Sequence, residues 1–231
     1  MSMTKDREPF FSEYEQLVKQ ADQAFSNVQE KYRDEVKCAI KCADCCHALF
    51  DLSLIEAMYI KEQFDRRTEP EKKALFIERA NQADRKIYQI KRKANKYLEA
   101  GKDEGQILAE ISLERVRCPM LNEDNQCQIY DHRPITCRLY GIPTGIGGHG
   151  HTCGMSGFLE GEQYPSANLD VINNKLYDIS NRYAKRIGSR YLKLAELIVP
   201  LSMAILTEYN DEYLGIGEKK EQDEKKDANQ T

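Results

Sequence analysis

Eight cysteines carry the chemistry this chain advertises, and all of them fall between positions 38 and 153. The first group is Cys38, Cys42, Cys45 and Cys46; Cys118, Cys127 and Cys137 form the second, and Cys153 follows in a glycine-rich run. Thiolates are soft ligands that select zinc or iron–sulfur clusters. The C-x2-C step from Cys42 to Cys45 is the spacing at which a tight turn aims two sulfurs at one metal. If the preceding helix extends that far, the spacing of four between Cys38 and Cys42 puts both on one helix face. Adjacent Cys45 and Cys46 should diverge, so they are expected to serve different centres, or one of them to stand behind the ligands. The Cys118-Pro119 step has the form of the last ligand in some iron–sulfur runs. The spacings of nine and ten residues that follow are unlike a zinc ribbon.

Residues around the thiols have supporting roles. Arg133 and Arg138 can balance the negative charge of a thiolate-rich site by donating to sulfur or backbone. Tyr130 belongs with them as a core residue rather than a catalytic one. His47, His132, His149 and His151 lie near cysteines in sequence, and His149 and His151 are the candidates for extra ligands. Eight thiols, however, already suffice for two four-coordinate centres. The run Gly145 to Gly150 lacks the lysine and the serine or threonine of a phosphate-binding loop, so it is expected to bend the chain around metal.

The pattern from Cys38 to Cys46, followed by C-P-x-L-x5-C-x-I-Y-x2-R-P-x2-C-R-x-Y-G from Cys118 to Gly141, resembles the YkgJ-like cysteine-cluster family. Pro119, Leu121, Ile129, Tyr130, Arg133, Pro134 and Arg138 match along with the cysteines, and the likeness spans roughly positions 38 to 154. The family often reads C-x2-C-x2-C-C, whereas three residues separate Cys38 from Cys42 here. The resemblance implies eight metal-directed cysteines chelating zinc or iron. Relatives include flagellin lysine N-methylases, and the resemblance does not choose the reaction.

The 231-residue chain has a formal net charge of −4 and 31% charged residues, which lacks the basic footprint of a nucleic-acid binder. Neither a membrane-spanning apolar run nor a signal-peptide pattern is visible, so a cytoplasmic location is expected. In that compartment thiols stay reduced, which turns eight cysteines away from disulfides and toward metal.

The elements that must position the thiols read as helices. Phe11, Tyr14, Val18, Ala21, Phe25, Val28 and Tyr32 form one apolar stripe on a long helix delivering the chain to Cys38. A second helix is expected from Ser53, capped by its hydroxyl with Glu56 reaching back, to near Arg67. Thr68 with Glu71 and Pro70 start a third and longest helix, carrying Phe76, Ala80, Ala83, Ile87, Ile90, Ala94 and Tyr97 inward. Its other face bears Arg85, Lys86, Lys91, Arg92, Lys93 and Lys96, read as a solvated surface. A shorter helix covers about Gln106 to Arg115. From Cys118 to about Tyr164 periodicity stops, and this stretch is expected to owe its order to metal rather than to a hydrophobic core. Ser166 is expected to cap a helix carrying Leu169, Ile172, Leu176, Ile179, Tyr183 and Ile187. A further helix from Ser189 is split by Pro200, leaving a short one from Leu201 to Tyr209.

The expected architecture is mainly α, with an irregular cysteine-rich metal-binding centre enclosed by long helices. It forms one domain over 1–216, with the cysteine-rich core at 38–154 and a disordered charged tail at 217–231. The expected function is chelation of zinc or of an iron–sulfur cluster, which could be of the 4Fe-4S type. The alternative is an iron–sulfur enzyme: an electron-transfer protein, or an S-adenosylmethionine-dependent protein methylase. The spacing C-x3-C-x2-C at Cys38, Cys42 and Cys45 speaks for the latter, and the long helices, unlike the strand and helix alternation of a barrel, speak against it. Expected partners are a metal ion and a protein partner or protein substrate, with no nucleic acid and no membrane.

Overall fold

A computed structural model describes residues 3–217, so the expected tail lies outside the described residues apart from Gly217. The chain is mainly helical, as its periodicity implies. Helix α1 (Met3–Lys31) is followed by a 3-10 turn (Asp44–His47), strand β1 (Asp51–Ser53), α2 (Leu54–Arg67), α3 (Pro70–Glu99) and α4 (Glu104–Leu113). A second 3-10 turn (Tyr130–His132), helix α5 (Ile135–Leu139) and the strands β2 (Thr144–Ile146), β3 (His149–His151) and β4 (Ala167–Asn168) come next. The chain then runs through α6 (Leu169–Arg186), a 3-10 turn (Leu194–Glu196), β5 (Ile198–Pro200), α7 (Leu201–Leu206) and α8 (Asp211–Leu214).

Helix α2 is the centre of the core. Leu54, Ile55, Ala57, Met58, Ile60 and Phe64 are buried on nearly every side of it, the mark of a helix enclosed by others rather than lying on a surface. Helices α1, α6 and α7 pack around it, while α3 packs on α7 and on α4. From α1 the expected stripe contributes Phe11, Tyr14, Ala21 and Val28, and α3 contributes Phe76, Ala80, Ala83 and Ile87. The basic residues predicted for the outer face of α3 are exposed, and Lys91 pairs with Asp51 at 2.7 Å. Strands β1 and β5 form an antiparallel pair, Leu52 opposite Val199; β2 sits between antiparallel β3 and parallel β4. No helix among the described residues is long and apolar enough to cross a membrane.

Several boundaries differ from expectation for local reasons. Helix α1 stops at Lys31, so Cys38 and Cys42 lie on an irregular segment rather than on one helix face. There the amide of Cys42 bonds the carbonyl of Ala39, and Lys41 takes a left-handed φ of 73°. Ser53 precedes α2 without capping it; the Ile55 amide instead donates to Ser180 Oγ of α6. Glu56 does not reach back, because it faces the core. Helix α3 starts after Glu69 with Pro70 in its first turn, one residue later than a Thr68 cap would place it. Asn168, not Ser166, caps α6, accepting from the Val171 amide at 3.0 Å. The chain after Ser189 is not a helix but a 3-10 turn leading into β5, where Ile198, Val199 and Pro200 pair with β1.

The largest correction concerns the stretch after Cys118. Met120, Leu121, Ile129, Ile135, Leu139, Ile142 and Phe158 are all buried, so hydrophobic burial contributes to ordering it, where the sequence reading looked to metal alone. Apolar residues spaced irregularly in a loop leave no periodic signal, which is why the burial escapes a pattern reading.

Candidate metal centre

Helix α5 and three loops bring the cysteines together. Cys45 and Cys46 lie on the first 3-10 turn. The amide of Cys118 donates to the carbonyl of Cys46 at 2.7 Å, and that of Val116 to His47 at 3.1 Å, so the two cysteine segments are tied backbone to backbone. Between Cys118 and Cys127 the chain folds back on itself, Leu121 opposite Cys127, with Asn125 at the tip in a left-handed φ of 59°. Arg79 of α3 and Arg117 hold this loop by donating to the carbonyls of Leu121 and Asn122 at 3.1 and 2.7 Å. Cys137 rides on α5, and Cys153 begins a turn in which the Met155 amide approaches its sulfur at 3.4 Å.

All eight cysteines line one cavity of about 700 Å3. Every one is a free thiol. Cys45 hydrogen-bonds Cys137 and Cys46, which pull its ionisation down despite burial, with the Arg133 charge helping. Cys46, bonded to Cys118, Cys127 and Cys45, is pushed far up. Cys45 and Cys46 sit side by side on the 3-10 turn, near enough for each to shift the other's ionisation. Cys127 is lowered first by its bond from Cys46, burial opposing, with the Ile129 amide and Arg133 acting in the same direction. Burial pushes Cys38 up to about 11, and the neighbouring charges of Cys42, Cys153 and Cys45 add to that. Crowded, half-buried thiols resist becoming thiolates together. A bound cation reverses that balance, since metal coordination deprotonates thiols.

Among the described residues, no group of three or more His, Cys, Asp or Glu side chains is drawn together as it would be around a bound metal ion. Holding a metal therefore requires side-chain rotation within the cavity. The donor set nevertheless fits zinc or iron, both of which take four thiolates. Gly141 adds a second sign of fit: a Cβ there would lie 2.0 Å from Cys38 Sγ and 3.3 Å from the Phe25 ring, so only glycine leaves Cys38 its seat. Gly141→Ala is expected to weaken metal binding about 10- to 100-fold, the usual effect of disturbing what orients a ligand, while the helices stay folded. Chelator competition measures this, and unchanged affinity would separate the Cys38 seat from metal binding.

The supporting residues are placed unequally. Arg133 lines the cavity, stacks on Tyr130 at 4.0 Å from the ring centre, and donates to the Tyr130 carbonyl. Tyr130 itself is 61% exposed, which corrects its reading as a core residue. Arg138 is buried and bonds no sulfur: it grips Asp22 of α1 with bonds of 2.9 and 2.7 Å and donates to the carbonyls of Arg133 and Asp131. It thus pins α5, and Cys137 with it, to α1. Arg138→Lys keeps the charge but loses the fork, and is expected to cost about 1–3 kcal/mol, read as a lower urea midpoint at unchanged slope. His149 and His151 are exposed on β3 and are not among the residues lining the cavity. His47 bonds the Ala43 carbonyl, and His132 packs edge-on to Tyr59.

Sequence reasoning missed Asp44, which sits at the cavity wall between Cys42 and Cys45. Its carboxylate accepts from Tyr140 at 2.9 Å, pairs with Arg115, and lies 3.5 Å from the Cys153 thiol. Its place inside the cysteine cluster was the available signal. Glu56, whose carboxylate accepts from the first amide of α5, had no local signal at all.

Residues 37–154 match the CxxCxxCC family, described as a "Putative zinc- or iron-chelating domain". The match covers just over half of the chain, and the protein belongs to this family of metal-chelating domains. No curated relative and no solved structure matches it.

Proposed function

We propose that this protein holds zinc or an iron–sulfur cluster in the thiol-lined cavity, with Cys38, Cys42, Cys45, Cys46, Cys118, Cys127, Cys137 and Cys153 as the ligands. One observation carries the reading: eight cysteines from four separate stretches of chain face the same cavity. Arg133 supplies a cation at its wall, which suits an anionic centre. His149 and His151, exposed on β3, fall out of the ligand set. The metal ties the irregular segments to one another and to the helical core. Anaerobic purification with elemental analysis tests the proposal: zinc or iron near stoichiometry is expected, and a protein that binds neither after reconstitution would overturn it. Brown colour with visible charge-transfer absorption identifies an iron–sulfur cluster, and a colourless zinc protein identifies the simpler centre.

The size of the cavity favours a second reading, in which the cluster works on an organic molecule. A closed four-thiolate site needs little room, whereas here the cavity extends past the sulfurs along Leu49, Phe50, Ile87, Val116 and Leu201. Cys38, Cys42 and Cys45 would then bind a 4Fe-4S cluster and leave one iron free for S-adenosylmethionine, as in a protein methylase. Titration of the reconstituted protein with S-adenosylmethionine tests this, with a changed electron paramagnetic resonance spectrum of the reduced cluster as the expected sign.

A further inference from the structure

Apart from its sulfurs, the cavity is walled by apolar side chains of two origins. Among the described residues the buried apolar side chains form two clusters rather than one. The larger is built around α2; the smaller joins Ala83, Ile87 and Val116, with Leu49 packed against it. The cavity is the seam between them. Phe50, Ile129 and Leu201 line it from the side of the main core, and Leu49, Ile87 and Val116 line it from the other. Apolar surfaces that face each other across about 700 Å3 lack the contacts of a close-packed interior. An apolar body in the seam would supply them. Pockets of about 300–1,000 Å3 with mostly apolar walls and a few polar groups are of the kind that encloses small organic molecules.

The charges at the wall choose the sign of the ligand's other end. Lys41, Asp44, Arg117, Arg133 and Arg138 are the charged residues lining the cavity among those described, so cations outnumber the single acid. That acid, Asp44, is already matched by Arg115 and Tyr140. Arg138 is committed to Asp22, and Arg117 to loop carbonyls and, at 3.7 Å, to Glu123. Lys41 and Arg133 have no carboxylate partner among the described residues. Arg133 is held by Tyr130 alone, stacked 4.0 Å from the ring centre and donating once to its carbonyl. Its planar fork is thereby oriented with donors to spare, the arrangement that suits a two-pronged bond to a carboxylate. We propose that the seam binds an organic anion with an apolar body, the body between the two apolar clusters and the charged group on Arg133 with Lys41 beside it. As a substrate this molecule rests on the second reading above; as a bound ligand it does not.

Decanoate is the probe, with 1-decanol as its neutral counterpart. Each is titrated calorimetrically into the reduced full chain, whose metal content is measured beside it. Decanoate is expected to saturate at one equivalent. Decanol should bind about 10- to 100-fold more weakly, the loss of one charge-assisted bond. Arg133→Gln should bring decanoate down to the affinity of decanol. Ala83→Phe, which puts a ring into the seam, should weaken both ligands while helical circular dichroism is unchanged. Equal affinity for decanoate and decanol in the wild type, or uptake that does not saturate at one equivalent, overturns the proposal. So does full decanoate affinity in a folded Arg133→Gln protein. Where a variant does not fold, the wild-type comparison still decides. A chain that binds metal but no decanoate loses this site alone, whereas one that binds decanoate but no metal keeps it and loses the thiolate centre.

Discussion

Changing Cys137 to serine is expected to lower bound metal and soluble yield together. Cys137 differs from the other cysteines in where its helix is anchored. Helix α5 packs on α1, Arg138 clamps it to Asp22, and Glu56 of the central helix holds its first amide. A metal on Cys137 is therefore coupled to the main core, whereas one on Cys38 is coupled to an irregular loop. Structural zinc contributes roughly 10–16 kcal/mol of apparent binding energy in small domains, and that energy becomes folding energy wherever the ligands are far apart in sequence. Replacing a thiolate by a neutral hydroxyl removes one of the bonds and the charge that goes with it. Metal analysis of the purified variant, with soluble yield measured beside it, tests the expectation. Full metal content in Cys137→Ser would remove this residue from the ligand set. Unchanged yield with lost metal would show that burial alone holds the second cysteine segment.

That last outcome matters because the structure shows buried apolar residues as a source of order where the sequence suggests metal alone. The helices α1, α2, α3 and α6 are legible from three-four spacing, and their inward residues are largely the ones expected: Tyr14, Ala80 and Tyr183 are buried as their stripes require. Caps were harder to read. Ser53, Thr68 and Ser166 all have a side chain suited to capping, yet the α2 amide is satisfied by Ser180, 125 residues away, a tertiary solution that no local pattern encodes. Cysteine clustering made the thiol site legible, and the family match bears out the kinship read from Cys118 to Gly141. The buried apolar residues of that same segment stayed hidden, because Met120, Ile129 and Ile142 lie in turns without a period. His149 and His151 drew attention through nearness in sequence to Cys153, but the β2–β3 hairpin carries them to the surface.

Glu56→Ala is expected to cost about 2–6 kcal/mol, because it strands two buried donors at roughly 1–3 kcal/mol each. The carboxylate of Glu56 is 2% exposed and accepts from the Tyr14 hydroxyl of α1 and from the Ile135 amide of α5, both at 2.9 Å. One side chain on α2 thereby joins the long N-terminal helix to the short helix that presents Cys137. Glu56→Gln keeps an oxygen for both donors and should lose much less. The pair of variants also separates charge from hydrogen bonding. Burial raises the Glu56 pKa, against the lowering effect of the Ile135 amide, the Tyr14 hydroxyl and the Arg138 charge. The folded state therefore holds this proton more tightly than the unfolded chain does. Its contribution is complete below the unfolded carboxyl value of about 4.3 and is lost as pH rises through the higher folded value. The stability of the wild type relative to Glu56→Gln should accordingly fall as pH rises above the unfolded carboxyl value and through the higher folded one. Urea unfolding at several pH values measures both effects; a pH-independent difference would mean that the carboxyl ionises in the folded protein as it does in the unfolded chain. Because α5 is the element at stake, Glu56→Ala should also lower metal content although Glu56 is not among the residues lining the cavity. Full metal retention in a destabilised Glu56→Ala protein would uncouple the thiol site from the helical core.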